Sequence, residues 1–468
     1  YSFRGADIRN ILEFEVDFPD ATVIRLEQNY RSTQNILDAA NNVIDHNFGR
    51  KKKELWTEKG EGDKIKLVTV ENEREEAHYI SREIEKLVFE EGRDYGDFAI
   101  LYRTNAQSRV LEEIMVRAGL PYKMVGGLKF YQRKEIKDIL SYLRVIANPS
   151  DNVSLERIIN VPRRGIGATT VNNLREVAEE QNVSMYEILT NLDNSSLSSA
   201  AKNRLEKFYI IMEDLRQNSE NMTISSLMEY VLEESGYNAS LTSQDSPDAI
   251  SRLENLQEMV GAAKEFEQRY PEAGLEDFLS ELALVADVDD VDEDERAIIL
   301  MTLHSAKGLE FPVVFLVGMD EGIFPHSRSM LDDDQLEEER RLCYVGMTRA
   351  QESLYLTRAW QRSIYGNTSY YTASRFIDEI PQELLVEVSL NQREQKGSTS
   401  SHNQGFKPGY QATPTMSLAP GDRVSHAKWG EGIIIDIDGI DEDAQVSISF
   451  PEAGVKHLIL KYAPIVKI

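Results

Sequence analysis

The chain of 468 residues has one cysteine, Cys343. No disulfide can close within it, which fits a reducing compartment such as the cytosol. Cys343 stands between Leu342 and Tyr344, the setting of a buried structural thiol, and nothing nearby pairs it with a histidine as a nucleophile would need. No apolar run approaches membrane-spanning length and the first residues carry no signal-peptide pattern, so no membrane partner is expected. The seven histidines do not fall at ligand spacing with cysteines or acids, so no metal site is expected either. Two further absences narrow the chemistry. No G-x-x-x-x-G-K-[ST] occurs, so these residues cannot cradle a triphosphate in the P-loop manner. No paired acids mark a magnesium site at a strand end. Positive charge is also scarce: 52 Lys and Arg face 80 Asp and Glu, for a net charge of −28. In bulk this argues against a nucleic-acid partner, but binding follows local patches rather than totals. Much of the acid sits in one run, DVDDVDEDE, Asp287–Glu295.

What is present is ordinary for a globular protein, with 41% hydrophobic and 28% charged residues. The length suggests two to four domains. The opening YSFRGADIRN has no methionine and reads as if cut from a longer protein. A loop and short helix occupy the first 20 residues, then Ala21–Leu26 (ATVIRL) reads as a β-branched strand. TQNILDAANNVIDHN follows with helical apolar spacing, then the basic cluster Arg50–Lys53. KIKLVTV, EREEAHYISREIEKLVFE and DFAILYR alternate as strand, helix and strand. Such alternation implies a parallel sheet in an α/β layer. From about residue 118 to 286 the pattern is mostly helical, and α/β character returns with AIILMTL, PVVFLVGM, a charged helix near 333–345 and SLYLTRA. An α/β domain interrupted by a helical insertion is the simplest account. Residues 388–417 are polar and aperiodic, a flexible linker by composition. The last fifty residues are short strands between Gly, Asp and Pro turns, a small all-β barrel.

Four stretches could carry chemistry. LEQNYRS, Leu26–Ser32, follows the first expected strand, and ligands of open α/β sheets sit beyond strand carboxyl ends. Tyr30 could stack on a flat ring and Arg31 could grip phosphate with its planar fork; a rim tyrosine and a carboxylate-paired arginine are the plainer reading. TLHSAKGLEFPVVF, Thr302–Phe315, places a small-residue loop between two strands, with backbone N–H groups suited to an anion and with His304, Lys307 and Glu310 in it. EERRLCYVGMTRA, Glu338–Ala350, begins as an exposed salt-bridge face and ends in Arg349, whose plainer reading is a structural ion pair. VPRRGIGATT, Val161–Thr170, leads Arg163, Arg164, Gly165 and Gly167 into a helix start, where amides and charge suit a phosphate, though a bland helix-entry turn fits nearly as well.

Taken in order, YSFRGAD, LEQNYRS, TLHSAKGLEF and YVGMTRA resemble motifs III, IV, V and VI of the superfamily 1A DNA helicases of the UvrD and Rep type. The resemblance runs over essentially the whole chain. It implies a RecA-like parallel-sheet domain, 2A, at 23–117 and 287–387, a helical insertion, 2B, at 118–286, a disordered linker at 388–417 and a Tudor- or SH3-like barrel at 418–468. Residues 1–22 would be the tail of a first RecA-like domain, 1A, whose remainder, with domain 1B, lies outside these residues; that would explain the missing P-loop. The resemblance further implies ATP with Mg2+ as cofactor and a bacterial cytoplasmic setting. Tyr30 would stack on adenine, Arg31 and Arg349 would reach the γ-phosphate, and Glu310 would contact the ribose. Tyr1, Phe3, Arg4, His326 and Tyr365 would line the path of single-stranded DNA, where aromatic faces accept any base. Phe3 stands where the family usually has tryptophan, and Tyr365 where phenylalanine is common. Arg163, Arg164, Gly165 and Gly167 would touch duplex DNA at a single/double-strand junction. The barrel would bind RNA polymerase and the repair protein UvrB, with Lys428 and Trp429 as candidate contacts; a tryptophan packed in the small core fits equally well. Two rival readings are a non-catalytic module binding DNA and polymerase, and a helicase–nuclease subunit of the RecB or AddA type, for which the segment after motif VI is too short.

Overall fold

The computed structural model describes residues 10, 13–48, 53–192, 197–287, 296–364 and 367–388, and, in the C-terminal unit, 423–426, 430–438, 445–450, 454–459 and 465–467. The chain divides into two compact units, 1–392 and 393–468. Tyr1, Phe3, Arg4, Tyr365, Lys428 and Trp429, the basic residues 50–52 and nearly all of the expected linker lie outside the described residues.

The first unit is built on a seven-stranded sheet in the order β3-β4-β2-β5-β6-β1-β9. Its strands are β1 (Ile65–Val70), β2 (Phe98–Tyr102), β3 (Tyr122–Val125), β4 (Ile298–Thr302), β5 (Phe311–Leu316), β6 (Ala350–Ala359) and β9 (Leu385–Val388), and every pairing is parallel. A small antiparallel hairpin, β7 (Gln361–Ile364) and β8 (Asn367–Tyr370), follows β6. The central strand FAILY is buried at all five positions, as a parallel strand covered on both faces must be. One apolar cluster lies on each face of the sheet: Leu101, Val314, Leu356 and Cys343 belong to one, and Ile100, Phe315, Tyr355 and Ile80 to the other. Burial raises the Cys343 thiol above its ordinary pKa, so it is an inert core residue.

Local chemistry sets the helix ends. The Asn72 side chain accepts from the Glu75 amide at the start of Glu73–Glu91, and Gly92 closes that helix with φ of 66°. Ser246 caps Pro247–Arg269, with proline in the first turn where its missing N–H costs nothing. Between β3 and β4 the helices from Lys134–Ala147 to Leu275–Asp287 enclose a core of their own, including Leu143, Phe208, Met212, Met228 and Met259. Two sequence boundaries move. The sheet continues past residue 117, because Tyr122–Val125 pairs with β4. Ala21–Leu26 forms no strand: Ile24 and Leu26 are 80% and 78% exposed, and among the described residues the pairing nearest to them is the isolated bridge Gln28–Trp56. β-branched composition favours extension but cannot supply a neighbouring strand.

In the C-terminal unit β10 (Arg423–His426), β11 (Gly430–Asp438), β12 (Gln445–Phe450), β13 (Gly454–Ile459) and β14 (Ile465–Lys467) pair antiparallel in the order β13-β12-β11-β10-β14. Val424, Ile434, Val446 and Ile448 are buried there.

Candidate functional site

The loop after Leu26 is held by short-range chemistry. The Asn29 carboxamide accepts from the amides of Arg31 (2.7 Å) and Ser32 (2.8 Å), an Asx-type turn. The buried Ser32 hydroxyl donates to the Ala350 carbonyl at 2.6 Å, and the Thr33 amide donates to the Gln351 carbonyl at 3.2 Å. The loop is thus fastened to the first two residues of β6. That junction brings Arg31 beside residues more than 270 positions away.

Four side chains meet there. Arg31 Nε donates to Glu310 Oε2, and Arg31 NH1 reaches the Thr348 carbonyl at 3.4 Å. The other Glu310 oxygen accepts from Gln351 Nε2 at 3.0 Å. Arg349 Nε donates to the Val345 carbonyl and NH1 to the Leu309 carbonyl, each at 3.0 Å, and NH2 reaches the Thr348 hydroxyl at 3.3 Å. Arg349 makes no salt bridge among the described residues. Its guanidinium is pushed down to about 10, first by burial and then by the charge of Arg31. The Glu310 carboxyl is held below its ordinary range, chiefly by the Arg31 hydrogen bond. Glu310 thus pairs with Arg31 while Arg349 has no acidic partner among the described residues, leaving positive charge in surplus. Next to them Tyr30 is 76% exposed, and its hydroxyl donates to Gln28 at 2.8 Å.

This site lies at the amino edge of the sheet. Glu310 and Arg349 immediately precede β5 and β6, whose first residues, Phe311 and Ala350, pair with each other ahead of a shift in register. The expectation of a site beyond strand carboxyl ends is corrected: the segment before LEQNYRS is no strand, so its end is not a sheet end. The expected run of anion-binding amides after β4 is also narrower. Within that loop the amides of Ser305, Ala306 and Leu309 donate to Thr302, Leu303 and Ala306. Burial and the charge of Arg103 push the His304 imidazole down to about 4, so it stays neutral at physiological pH.

The charged helix Asp333–Met347 is only half an exposed face. Arg341 does pair along the helix, with Glu337 at 2.7 Å and Glu338 at 3.2 Å. Glu339 and Arg340 turn inward and are buried. Arg340 grips both Glu379 oxygens at 2.7 and 2.9 Å and Asn47 at 2.7 Å, while Glu339 takes a forked bond from Arg103. Near its end Gly346 packs so closely that a Cβ would lie 2.4 Å from a Leu303 methyl. This close approach seats the last turn on the sheet and delivers Thr348 and Arg349 to β6.

A second concavity, of about 190 Å³, lies at the carboxyl edge. Gln107, Val317, Ile323 and His326 line it from the sheet side, and Glu254 and Glu258 from Pro247–Arg269. His326 is largely buried. Its Nε2 stands 3.6 Å from Glu254, its Nδ1 accepts from the Arg328 amide and its own amide donates to Glu339. The structure therefore places His326 between sheet and insertion, apart from the Arg31–Arg349 site.

In the RRGIG turn the two arginines part company. Arg163 is exposed, but Arg164 turns inward and donates to the Ser235 carbonyl (2.9 Å), the Tyr142 hydroxyl (2.8 Å) and the carbonyls of Ile158 and Pro162. The expectation that both meet a phosphate is corrected for Arg164, whose side chain holds the turn together. Gly165, with φ of 75°, leaves room for Arg204, whose NH1 donates to the Gly165 carbonyl at 3.1 Å, and Gly167 precedes Ala168–Gln181 without a side-chain cap. Sequence reasoning missed Asn29, Thr348 and Gln351. Asn29 was legible as an Asx-turn former; Gln351 acts through a contact that only the sheet creates.

No helix among the described residues is long and apolar enough to cross a membrane, and no group of three or more His, Cys, Asp or Glu among them could hold a metal ion. The chain is similar to the ATP-dependent DNA helicase PcrA of Leuconostoc citreum, 46% identical over 493 residues, covering 100% of this chain and 66% of that protein. It is similar to those of Bacillus subtilis, at 46% over 484 residues, and Staphylococcus epidermidis, at 46% over 475, with 100% of this chain and 65% of each relative covered. The chain thus spans about 65% of the length of the curated relatives it matches. Residues 421–467 match the PcrA/UvrD tudor domain, which agrees with the small β unit expected there. Residues 24–361, which contain Tyr30, Arg31, Glu310 and Arg349, match the UvrD-like helicase C-terminal domain, and to that family the chain belongs.

Proposed function

We propose that the chain is the C-terminal part of an ATP-dependent 3′-to-5′ DNA helicase, and that Tyr30, Arg31, Glu310 and Arg349 form half of a nucleotide site. The observation that carries this reading is the surplus charge: of two half-buried guanidinium groups beside an exposed tyrosine ring, Arg31 pairs with Glu310 and Arg349 with no acid among the described residues. A purine polyphosphate satisfies both features, since its ring stacks on Tyr30 and its terminal phosphate answers the arginines. The residues present fit ATP. They do not supply Mg2+ ligands, because Glu310, the carboxylate at the site, is engaged by Arg31. The metal ligands and the P-loop would come from a domain outside these residues.

In phosphoryl transfer the protein's work is positioning and charge neutralisation. Arg349 is suited to this: its Nε and NH1 rest on carbonyls, which fix the side chain without cancelling its charge. Arginines offered by one domain to a triphosphate held by another also couple nucleotide state to domain closure. Motion along single-stranded DNA would use Tyr1, Phe3, Arg4, His326 and Tyr365, and Arg163 with the Gly165 and Gly167 backbone would meet the duplex at a junction. The tudor unit would recruit protein partners, RNA polymerase and UvrB among them. The setting would be the bacterial cytoplasm.

An ATPase assay compares the 468-residue chain alone with a polypeptide that also carries a P-loop domain. The expected result is no turnover by the chain alone and DNA-stimulated turnover by the longer protein. Robust hydrolysis by the chain alone would overturn the reading.

A further inference from the structure

We propose that Glu310 is the resting counter-ion of Arg31, that a nucleoside triphosphate must displace it, and that Gln351 is the residue that positions it. The inference rests on the nucleotide reading above and assigns Glu310 a role different from the ribose contact that family resemblance implies.

Both Glu310 oxygens are committed, one to Arg31 Nε and the other to Gln351 Nε2 at 3.0 Å. The pair is within reach of solvent: the Glu310 side chain is 47% exposed and that of Arg31 26%. An incoming anion can therefore compete for the same guanidinium. Gln351 is placed to govern that competition from two directions. Its carbonyl holds the Thr33 amide, and with it the loop bearing Arg31, while its side-chain amide holds the carboxylate that Arg31 grips. Two like-charged guanidiniums stand side by side, both in contact with Thr348, and Glu310 relieves that repulsion until a phosphate does so. A terminal phosphate carries more charge than one carboxylate and answers both arginines at once, so it wins Arg31. A diphosphate, which lacks that group, leaves Arg31 on Glu310. The pair is thus a contact that discriminates triphosphate from diphosphate.

The test uses the full-length protein with its P-loop domain, and measures binding of the non-hydrolysable triphosphate AMP-PNP and of ADP. Glu310→Gln removes the competing charge. AMP-PNP should bind more tightly by up to about fivefold, the scale of an exposed ion pair, a gain that ADP does not share. In an Arg31→Ala background Glu310→Gln should have no effect, because the competition no longer exists. Gln351→Leu should shift AMP-PNP binding in the same direction by a smaller factor, and no shift would overturn its positioning role. Weaker binding of both nucleotides by Glu310→Gln, with or without Arg31, would overturn the counter-ion role in favour of a ribose contact. A wild-type protein that binds no AMP-PNP would instead sink the nucleotide reading, so the two failures are distinguishable.

Discussion

Arg31 and Arg349 both hydrogen-bond Thr348, the first to its carbonyl at 3.4 Å and the second to its hydroxyl at 3.3 Å. Two like charges meeting on one residue is an unfavourable arrangement for a fold alone. Burial first, and then the charge of Arg31, lowers the proton affinity of Arg349, and the carboxylate of Glu310 partly offsets this. An arrangement that a polyphosphate would complete is how such strain becomes useful.

Arg349→Ala separates chemistry from folding. The side chain gives its hydrogen bonds to two carbonyls and a hydroxyl rather than to a buried acid. In the full-length protein the substitution should lower kcat for ATP by about 10³-fold or more, the range for an arginine finger. The melting temperature should move by only a few degrees. Unfolding at the temperature of the assay would identify Arg349 as a structural group.

Tyr30→Ala should raise KM for ATP by about 3- to 10-fold, on the scale of an aromatic stacking contact, and Tyr30→Phe should restore it. Because Tyr30 is 76% exposed, neither change should alter the urea midpoint. Equal KM values for the alanine and wild-type proteins would exclude stacking.

The neighbouring residues Arg340 and Arg341 should differ sharply. Arg340→Ala leaves the largely buried Glu379 side chain without its guanidinium partner and should destabilise by about 3–5 kcal/mol. Arg341→Ala removes partly exposed helix pairs and should cost less than about 1 kcal/mol. Chemical unfolding of the two variants, side by side, reads the difference; equal losses would contradict the inward turn of Arg340.

Glu258 gives stability a pH dependence. Burial lifts its carboxyl from an ordinary 4.5 to about 7, against the opposing pull of Arg109 and with added repulsion from Glu265 and Glu73. Between those values the folded state keeps a proton that the unfolded state has released, so this group's contribution to stability falls as pH rises through the window. Glu258→Gln removes that loss. Relative to wild type it should gain up to about 3 kcal/mol between pH 4.5 and 7.5, read by urea unfolding at several pH values. A difference that stays flat with pH would show that Glu258 is ionised throughout.

Much of the fold was legible. The buried strands announce themselves as short runs of valine, isoleucine and leucine, and helix starts by caps such as Asn72 and Ser246. Extension was legible at Ala21–Leu26 but pairing was not, because a strand needs a neighbour, and among the described residues the nearest pairing is the isolated Gln28–Trp56 bridge beyond the segment. In EERR the residue types were plain, yet the inward turn of Glu339 and Arg340 depends on Arg103, Asn47 and Glu379, all remote in sequence. Arg164 has the same history: local spacing offered it to a phosphate, and the carbonyl of Ser235 claimed it.

By itself the sequence offered residue types suited to a purine and a polyphosphate, because an aromatic ring and a guanidinium carry that chemistry wherever they stand. It also determined that no P-loop lies among these residues. Only the tertiary structure decided that Tyr30, Arg31, Glu310 and Arg349 form one site, that it lies at the amino edge of the sheet, and that Gln351 belongs to it. The physical reason is that parallel pairing sets the starts of β5 and β6 side by side, and hydrogen bonds from the Ser32 hydroxyl and the Thr33 amide dock a distant loop on that edge. Such contacts depend on register and burial, which residue type and spacing do not encode.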